Sequence, residues 1–429
     1  MGGLVELSYD EAYYWIYSQF LSWGYFDHPP MVAIFIKAGA SLFDNEFGVR
    51  LFFNIASILT LYTLWTMTNK KKPYIFLMLS CSLPLVQASG FLALPDTPLL
   101  LFSVLFIKQT FKYLEKDTLK NALLLALTIA LMFYSKYHGL LVVILTVLAI
   151  PHVCKRKTFW LVVAGSVLLY LPHMYWQYTN DFISFKFHLT GRAEKHFELK
   201  NILNYITSQI GLFGIFIFFS FLINIRKINF KNSKERILAF NVLGFLGLLF
   251  FVSFRNQIEA NWTVSACGCF ILLMYILFDR TEASRKKVLL LSSLSILLII
   301  VLRAVIILPE TMYQEDKIGR LNEIKFWNKR IESIKEQTKD FPLVAETYQY
   351  GAKVSFEMRK IIPVRHFRGR DSHYSLLNLT KDIDENQTIF YMTPRKVENA
   401  IKIETGYKDP IYIIKTTLKE LEEKHPKDE

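Results

Sequence analysis

VRLFFNIASILTLYTLWTMT (49–68), NKKK (69–72) and PYIFLMLSCSLPLVQASGFL (73–92) make two apolar runs joined by a basic turn. A helix needs about 20 mostly apolar residues to cross the hydrocarbon of a bilayer, and each run has that length. The pattern repeats along the chain, giving expected spans at 49–68, 73–92, 97–114, 121–136, 139–152, 158–176, 204–224, 237–254, 262–278 and 288–308. Of the 429 residues, 52% are hydrophobic and 20% charged, a balance that excludes an ordinary soluble enzyme of this length. The net charge of +13 would suit a nucleic-acid binder, but the Lys and Arg fall in short clusters between apolar runs. Clusters of that kind orient membrane helices, so no nucleic-acid partner is expected. Cys81, Cys154, Cys267 and Cys269 lie in or beside apolar runs. Cys267 and Cys269 are two apart and would face different directions on a helix, which argues against a metal pair or a disulfide framework.

Basic clusters occupy every second connection: Lys70 to Lys72; Lys112, Lys116 and Lys120; Lys155 to Lys157; Arg226 to Arg236; and Arg285 to Lys287. The positive-inside rule places this set in the cytoplasm. Lys108, Lys112, Lys116 and Lys120 are spaced by four, as on one helix face whose ammonium groups reach for the headgroups. The alternate set lies outside: residues 1–48, the turn at Asp96, the Lys136–His138 junction, 177–203, 255–261, and everything after Pro309. With ten spans both termini are outside, yet no apolar run precedes Ser8, so a first transmembrane helix is expected to be missing from the chain as given. The expected organisation is an external segment with juxtamembrane helices (1–48), an all-helical membrane domain (49–308) and a small α/β extracytoplasmic domain (309–429). In the last, 317–338 reads as an amphipathic helix, and 342–347, 388–393 and 410–416 read as short buried strands.

Polar chemistry gathers on the outer set. In SYDEAYYW (8–15), Ser8 and Glu11 have the spacing of a capping box, with Asp10 in the first turn where a helix dipole favours acids. The same acids at the mouth of a membrane cavity could serve as a general base. In GYFDHPP (24–30), Asp27 could cap a helix from about Pro30 to Phe43. Alternatively Asp27 holds a divalent metal or the acceptor, and His28 meets a phosphate. In LPDTPLL (94–100), Asp96 either caps the next helix or marks a site, since a carboxylate at the membrane boundary is costly. Lys136, Tyr137 and His138 stand on that face, and Arg192, Lys195 and His196 could hold a lipid phosphate through charge-assisted hydrogen bonds. RNQIEANW (255–262) adds Glu259, Asn261 and an interfacial Trp262.

Taken in order, DEAYYW, GYFDHPP, PDTPLL, SKYHGL and EANW resemble the bacterial branch of the protein mannosyltransferase superfamily, which includes the lipid A aminoarabinose transferases and has the GT-C fold. The resemblance runs from about Ser8 to Ser265 and weakens in the tail, where ETYQYGAKVSFEM and GRDSHYS are similar to segments of the family's external domain. It implies an inverting glycosyltransferase of the bacterial inner membrane. The donor would be a polyprenyl-phosphate sugar, and the acceptor a lipid, glycan or protein at the periplasmic face. It further implies Asp10 as catalytic base supported by Glu11, Asp27 as a possible metal ligand, and Asp96 as a third site acid. His28 stands where the family has a phosphate-contacting Lys, and Lys136, Arg192 and Lys195 are the other candidate phosphate ligands. Glu259 and Asn261 match a Glu-x-Asn-Trp element, and the family's first transmembrane helix has no counterpart here. No cofactor is required beyond a possible divalent cation.

Two other functions compete. A transporter or flippase would use many spans and membrane-level charges, but it should show inverted halves or helices broken at mid-membrane. A non-catalytic scaffold would leave Asp10, Asp27 and Asp96 free to vary.

Overall fold

The computed structural model describes residues 3, 5–189, 197–308, 321, 323–339, 341–367, 371–403 and 411–424. The chain divides into two compact units, one made of 28–35 and 50–304, the other of 1–27, 36–49 and 305–429.

The larger unit is helical: most of α3 (Glu46–Met67), then α4 (Pro73–Cys81), α5 (Pro84–Ser89), α6 (Asp96–Glu115), α7 (Leu119–Ser135), α8 (Gly139–Ala149), α9 (Lys157–Thr179), α10 (Ile183–Leu189), α11 (Leu199–Leu212), α12 (Ile215–Asn224), α13 (Ser233–Val252), α14 (Ala266–Asp279) and most of α15 (Glu282–Ile307). Four of these, α3, α9, α13 and α15, are long and apolar enough to cross a membrane singly. The run expected at 204–224 is a pair, α11 and α12, bent by 98°. Gly214 makes the corner with φ +79°, and a Cβ there would come within 2.5 Å of the Ser82 carbonyl, so glycine is required by both conformation and space. The run expected at 73–92 is likewise two short helices, because Pro84 cannot donate to a continuing helix and instead opens α5. The expected lysine face also breaks: α6 stops at Glu115, Lys116 is extended, and Lys120 belongs to α7. Apolar side chains such as Phe213, Phe221, Phe245 and Phe270 fill the core among α12, α13 and α14, while Leu168, Ile223 and Leu290 face outward, as lipid contact demands.

The smaller unit joins α1 (Tyr9–Gln19) to α16 (Trp327–Thr338), α17 (Tyr348–Met358), α18 (His373–Leu377), α19 (Leu418–Lys424) and a four-stranded sheet. The strands are β1 (Leu343–Ala345), β2 (Ile389–Thr393), β3 (Ile401–Ile403) and β4 (Ile411–Thr416), in the order β1-β2-β4-β3. β1 runs parallel to β2, pairing Val344 with Tyr391, and the other pairs are antiparallel. The three expected strands are present; β3 was not foreseen. The expected helix at 317–338 begins at Trp327, and residues 317–320 and 322 lie outside the described set. The residues of α2 (Met31–Ala40) are divided, 31–35 counting with the larger unit and 36–40 with the smaller.

Candidate functional site

In the smaller unit, the Ser8–Glu11 capping box forms as its spacing predicts. The Glu11 amide donates to Ser8 Oγ (3.4 Å), and Glu11 Oε2 accepts from the Ser8 amide (3.0 Å). Glu11 is fully buried in that role, while Asp10 beside it is exposed. The α1 start is fixed from below by Lys353 of α17, whose buried Nζ donates to the Leu7 carbonyl (2.6 Å) and lies 3.7 Å from Glu6 and 3.5 Å from Glu357. Burial pushes the Lys353 ammonium pKa down, and the two carboxylates oppose that. Glu6 in turn accepts from the amides of Trp327 (3.1 Å) and Asn328 (3.3 Å) at the start of α16.

Asp27 is 4% exposed and its Oδ1 accepts from the Tyr17 hydroxyl. Tyr17 stacks on Tyr25 with centroids 4.1 Å apart and planes 4° from parallel, and the His373 ring meets both edge-on at 4.9 Å. The His373 amide donates to the Tyr13 hydroxyl (2.7 Å). Burial pushes the Tyr17 phenol pKa well up, with the Asp27 carboxyl as the second cause, so Tyr17 stays a donor. Burial pushes Tyr25 up to about 12, against the opposing bond from the Ser22 amide, and burial alone pushes His373 down to about 3. His373 is therefore neutral at physiological pH, and its ring packs as an uncharged wall. Of this cage only Asp27 was singled out beforehand. The repeat of Tyr13 and Tyr17 at i, i+4 is the one local signal for the rest, since His373 lies 356 positions beyond Tyr17.

In the larger unit, Asp96, Lys136 and Asn261 come together. Lys136 Nζ donates to Asp96 Oδ1 (3.0 Å) and Asn261 Nδ2 to Asp96 Oδ2 (2.9 Å). The Lys136 and Asp96 side chains are 7% and 5% exposed. Asp96 opens α6, and no side-chain cap bond forms there, so its carboxylate serves Lys136 and Asn261 instead of the helix amides. Lys136 follows α7 in extended backbone, and Asn261 stands on a 3-10 turn (Ala260–Thr263). Gln209 of α11 pins that turn, donating to the Ala260 carbonyl (3.1 Å) and accepting from Thr263 Oγ1 (2.6 Å). Trp262 packs on His138 at 5.0 Å. Glu259, exposed just before the turn, gives its main-chain carbonyl to the Trp262 amide.

A second polar group lies beside Lys136 in sequence. The Tyr137 hydroxyl bonds Ser184 Oγ (2.7 Å), meets His173 Nε2 (3.2 Å) and accepts from Gln177 Nε2 (2.8 Å). The His188 ring is 5.3 Å from Tyr137 and 6.1 Å from His28. His173 and Gln177, at i, i+4 near the end of α9, went unremarked in the sequence; a polar pair at that spacing on an apolar helix was the available signal. Arg192, Lys195 and His196 lie outside the described residues. Among the described residues no three His, Cys, Asp or Glu side chains converge as a metal site would need, and Asp27 meets a phenol.

Residues 27–176 match the dolichyl-phosphate-mannose-protein mannosyltransferase family. A lipid A galacturonosyltransferase of Rhizobium johnstonii is 25% identical over 275 residues, 60% of this chain and 57% of that protein. The chain thus spans somewhat over half the length of that relative. Among solved structures, ArnT from Cupriavidus metallidurans in the apo state has a TM-score of 0.69 at 11% identity, covering 96% of this chain and 94% of that one. The same protein bound to undecaprenyl phosphate has a TM-score of 0.68 at 12% identity, covering 96% and 95%.

Proposed function

We propose that this polytopic membrane protein is a GT-C-type glycosyltransferase that moves a sugar from a polyprenyl-phosphate donor to a lipid A-type glycolipid at the outer face of the inner membrane. The observation that carries the reading is the buried Asp96–Lys136–Asn261 group, built from three separated helix ends that the charge alternation places outside. An ammonium has three donors, and Asp96 takes one of those on Lys136. The others suit a phosphate oxygen, and His28, Arg192 and Lys195 would supply further donors to it. Positive charge there stabilises the phosphate as it leaves.

In the proposed step the acceptor oxygen or nitrogen attacks the anomeric carbon from the face opposite the phosphate. The bond from that carbon to the phosphate oxygen breaks, polyprenyl phosphate leaves with the electron pair, and the configuration inverts. Asp10, exposed at the start of α1, takes the acceptor's proton. Glu11, occupied by the capping box, holds the turn that presents Asp10. Glu259 and Asn261 are assigned to substrate contact. In this reading residues 1–48 are the external catalytic segment, 49–308 the membrane domain and 309–429 the extracytoplasmic domain.

The relative named for lipid A supports a glycolipid acceptor, and the undecaprenyl phosphate bound by the structural neighbour supports the donor class. The family description, which names a protein acceptor, supports a protein substrate as second choice. Asp10→Asn should lower turnover by about 10²–10⁴ while leaving insertion and folding unchanged. Mass spectrometry of envelope glycolipids and glycoproteins from cells carrying the wild type or the variant reads this out. Normal turnover by purified Asp10→Asn protein would overturn the base assignment, and sugar lost from glycoproteins alone would overturn the acceptor.

A further inference from the structure

At the helix ends that the positive-inside rule assigns to the cytoplasm lies a cavity of about 470 Å³ that the proposed transfer does not use. It is walled by the end of α3 and its following turn, the last turns of α6 and α14, and the start of α13. Lys71, Lys108, Lys112 and Lys234 line it, together with two acids, Glu115 and Asp279. Each acid already has a cation of its own. Glu115 pairs with Lys234 (2.7 Å), and Asp279 pairs with Lys72 and with Arg285 (3.2 Å). That leaves Lys71, Lys108 and Lys112 in excess.

Snorkelling towards the headgroups accounts for a lysine that points away from the protein. Lys108 does the reverse: it is half-buried, and its ammonium donates to Thr66 Oγ1 of α3 (2.9 Å), between helices. Lys71 and Lys112 are exposed, with no ion pair among the described residues. The remaining wall is apolar or aromatic, including Leu238, Leu272, Ile276 and Phe111. Surplus ammonium groups over an apolar floor, at the depth where a helical membrane protein meets the headgroups, match an anionic lipid: phosphate on the lysines, glycerol and first methylenes on the floor. The volume suits a headgroup-sized ligand.

We propose that this cavity binds the phosphate-bearing headgroup of an anionic phospholipid from the cytoplasmic leaflet, a site separate from the donor site. The test uses the full chain, purified in detergent, delipidated, and titrated in mixed micelles with phosphatidylglycerol or with phosphatidylcholine of the same acyl chains. Thermal unfolding and native mass spectrometry are the readouts. Phosphatidylglycerol should raise the melting temperature saturably, and the effect should weaken as salt rises. The double variant K71Q/K112Q should bind about thirtyfold more weakly, and K112Q alone about fivefold. K116Q/K120Q, which removes equal charge outside the cavity, should bind as the wild type does. If the double variant does not purify folded, the single variant carries the test. Equal stabilisation by phosphatidylcholine, or an unchanged phosphatidylglycerol affinity in K112Q, would overturn the proposal. Inorganic phosphate reproducing the shift at the same concentration, with the same lysine dependence, would assign the cavity to a soluble anion and overturn the lipid.

Discussion

Asp27 and Asp96 are both buried acids beside prolines, 4% and 3% exposed, and they are held in opposite ways. Asp27 sits in a cage of neutral aromatics and takes its bond from a phenol. Asp96 sits among helix ends and takes one bond from an ammonium and one from an amide. The first arrangement sets a phenol and stacked rings around the acid, so it fixes the position of Asp27 within the smaller unit. The second keeps a lysine out of bulk water and oriented, at the cost of tying part of its charge to Asp96. A cation for a phosphate is better drawn from the second kind of site, where the carboxylate offsets desolvation until the substrate arrives.

The contrast can be broken first at Asp96. Asp96→Ala leaves Lys136 buried without its counter-ion and should cost about 3–5 kcal/mol of stability, read by thermal or denaturant unfolding in detergent. Asp96→Ala/Lys136→Met should recover most of the loss, whereas a double variant as unstable as the summed singles would mean that the two groups do not act as a pair. In the aromatic cage, Tyr17→Phe removes the hydroxyl from a buried acid and should cost about 1–3 kcal/mol.

The cage also has a pH signature. His373 is held near 3 in the folded protein against an ordinary 6.5, so the unfolded chain binds the proton first as pH falls. Stability from this group is present above about 6.5 and should fall by about 2 kcal/mol between pH 7 and pH 5. His373→Gln should flatten that slope; an unchanged slope would remove His373 as its source. The smallest effect is expected at Asn261→Ala, about 1 kcal/mol, since Lys136 still holds Asp96.

How far the sequence reveals these features depends on how local they are. The apolar runs of α3, α9, α13 and α15 are legible because the hydrocarbon thickness dictates their length. The breaks at Pro84 and Gly214 lie inside equally apolar runs, where only a single residue signals that the helix must stop. The Ser8–Glu11 box spans three positions and is readable by spacing. Asp96 is conspicuous as an acid at a membrane boundary, but its partners are 40 and 165 positions away, so the choice between capping and ion pairing was decided by tertiary structure. β3 was missed because it is three residues long with two of them exposed, which leaves no buried alternation to detect.

The bond from Lys353 to the Leu7 carbonyl spans 346 positions, and it fixes an order of events in biogenesis. At about 5–20 residues per second, the segment that forms α1 waits roughly 20–70 s after synthesis before its partner helix α17 exists. Through that interval Tyr13, Trp15 and Tyr17 lack Tyr348, Phe356 and His373, the late-made rings they pack against in the finished protein. The membrane helices are laid down meanwhile, so the aromatic cage around Asp27 is among the last parts of the molecule to close. A ribosome that stalls anywhere before α17 would leave an inserted membrane unit with its proposed catalytic segment unfolded, a natural substrate for quality-control proteases.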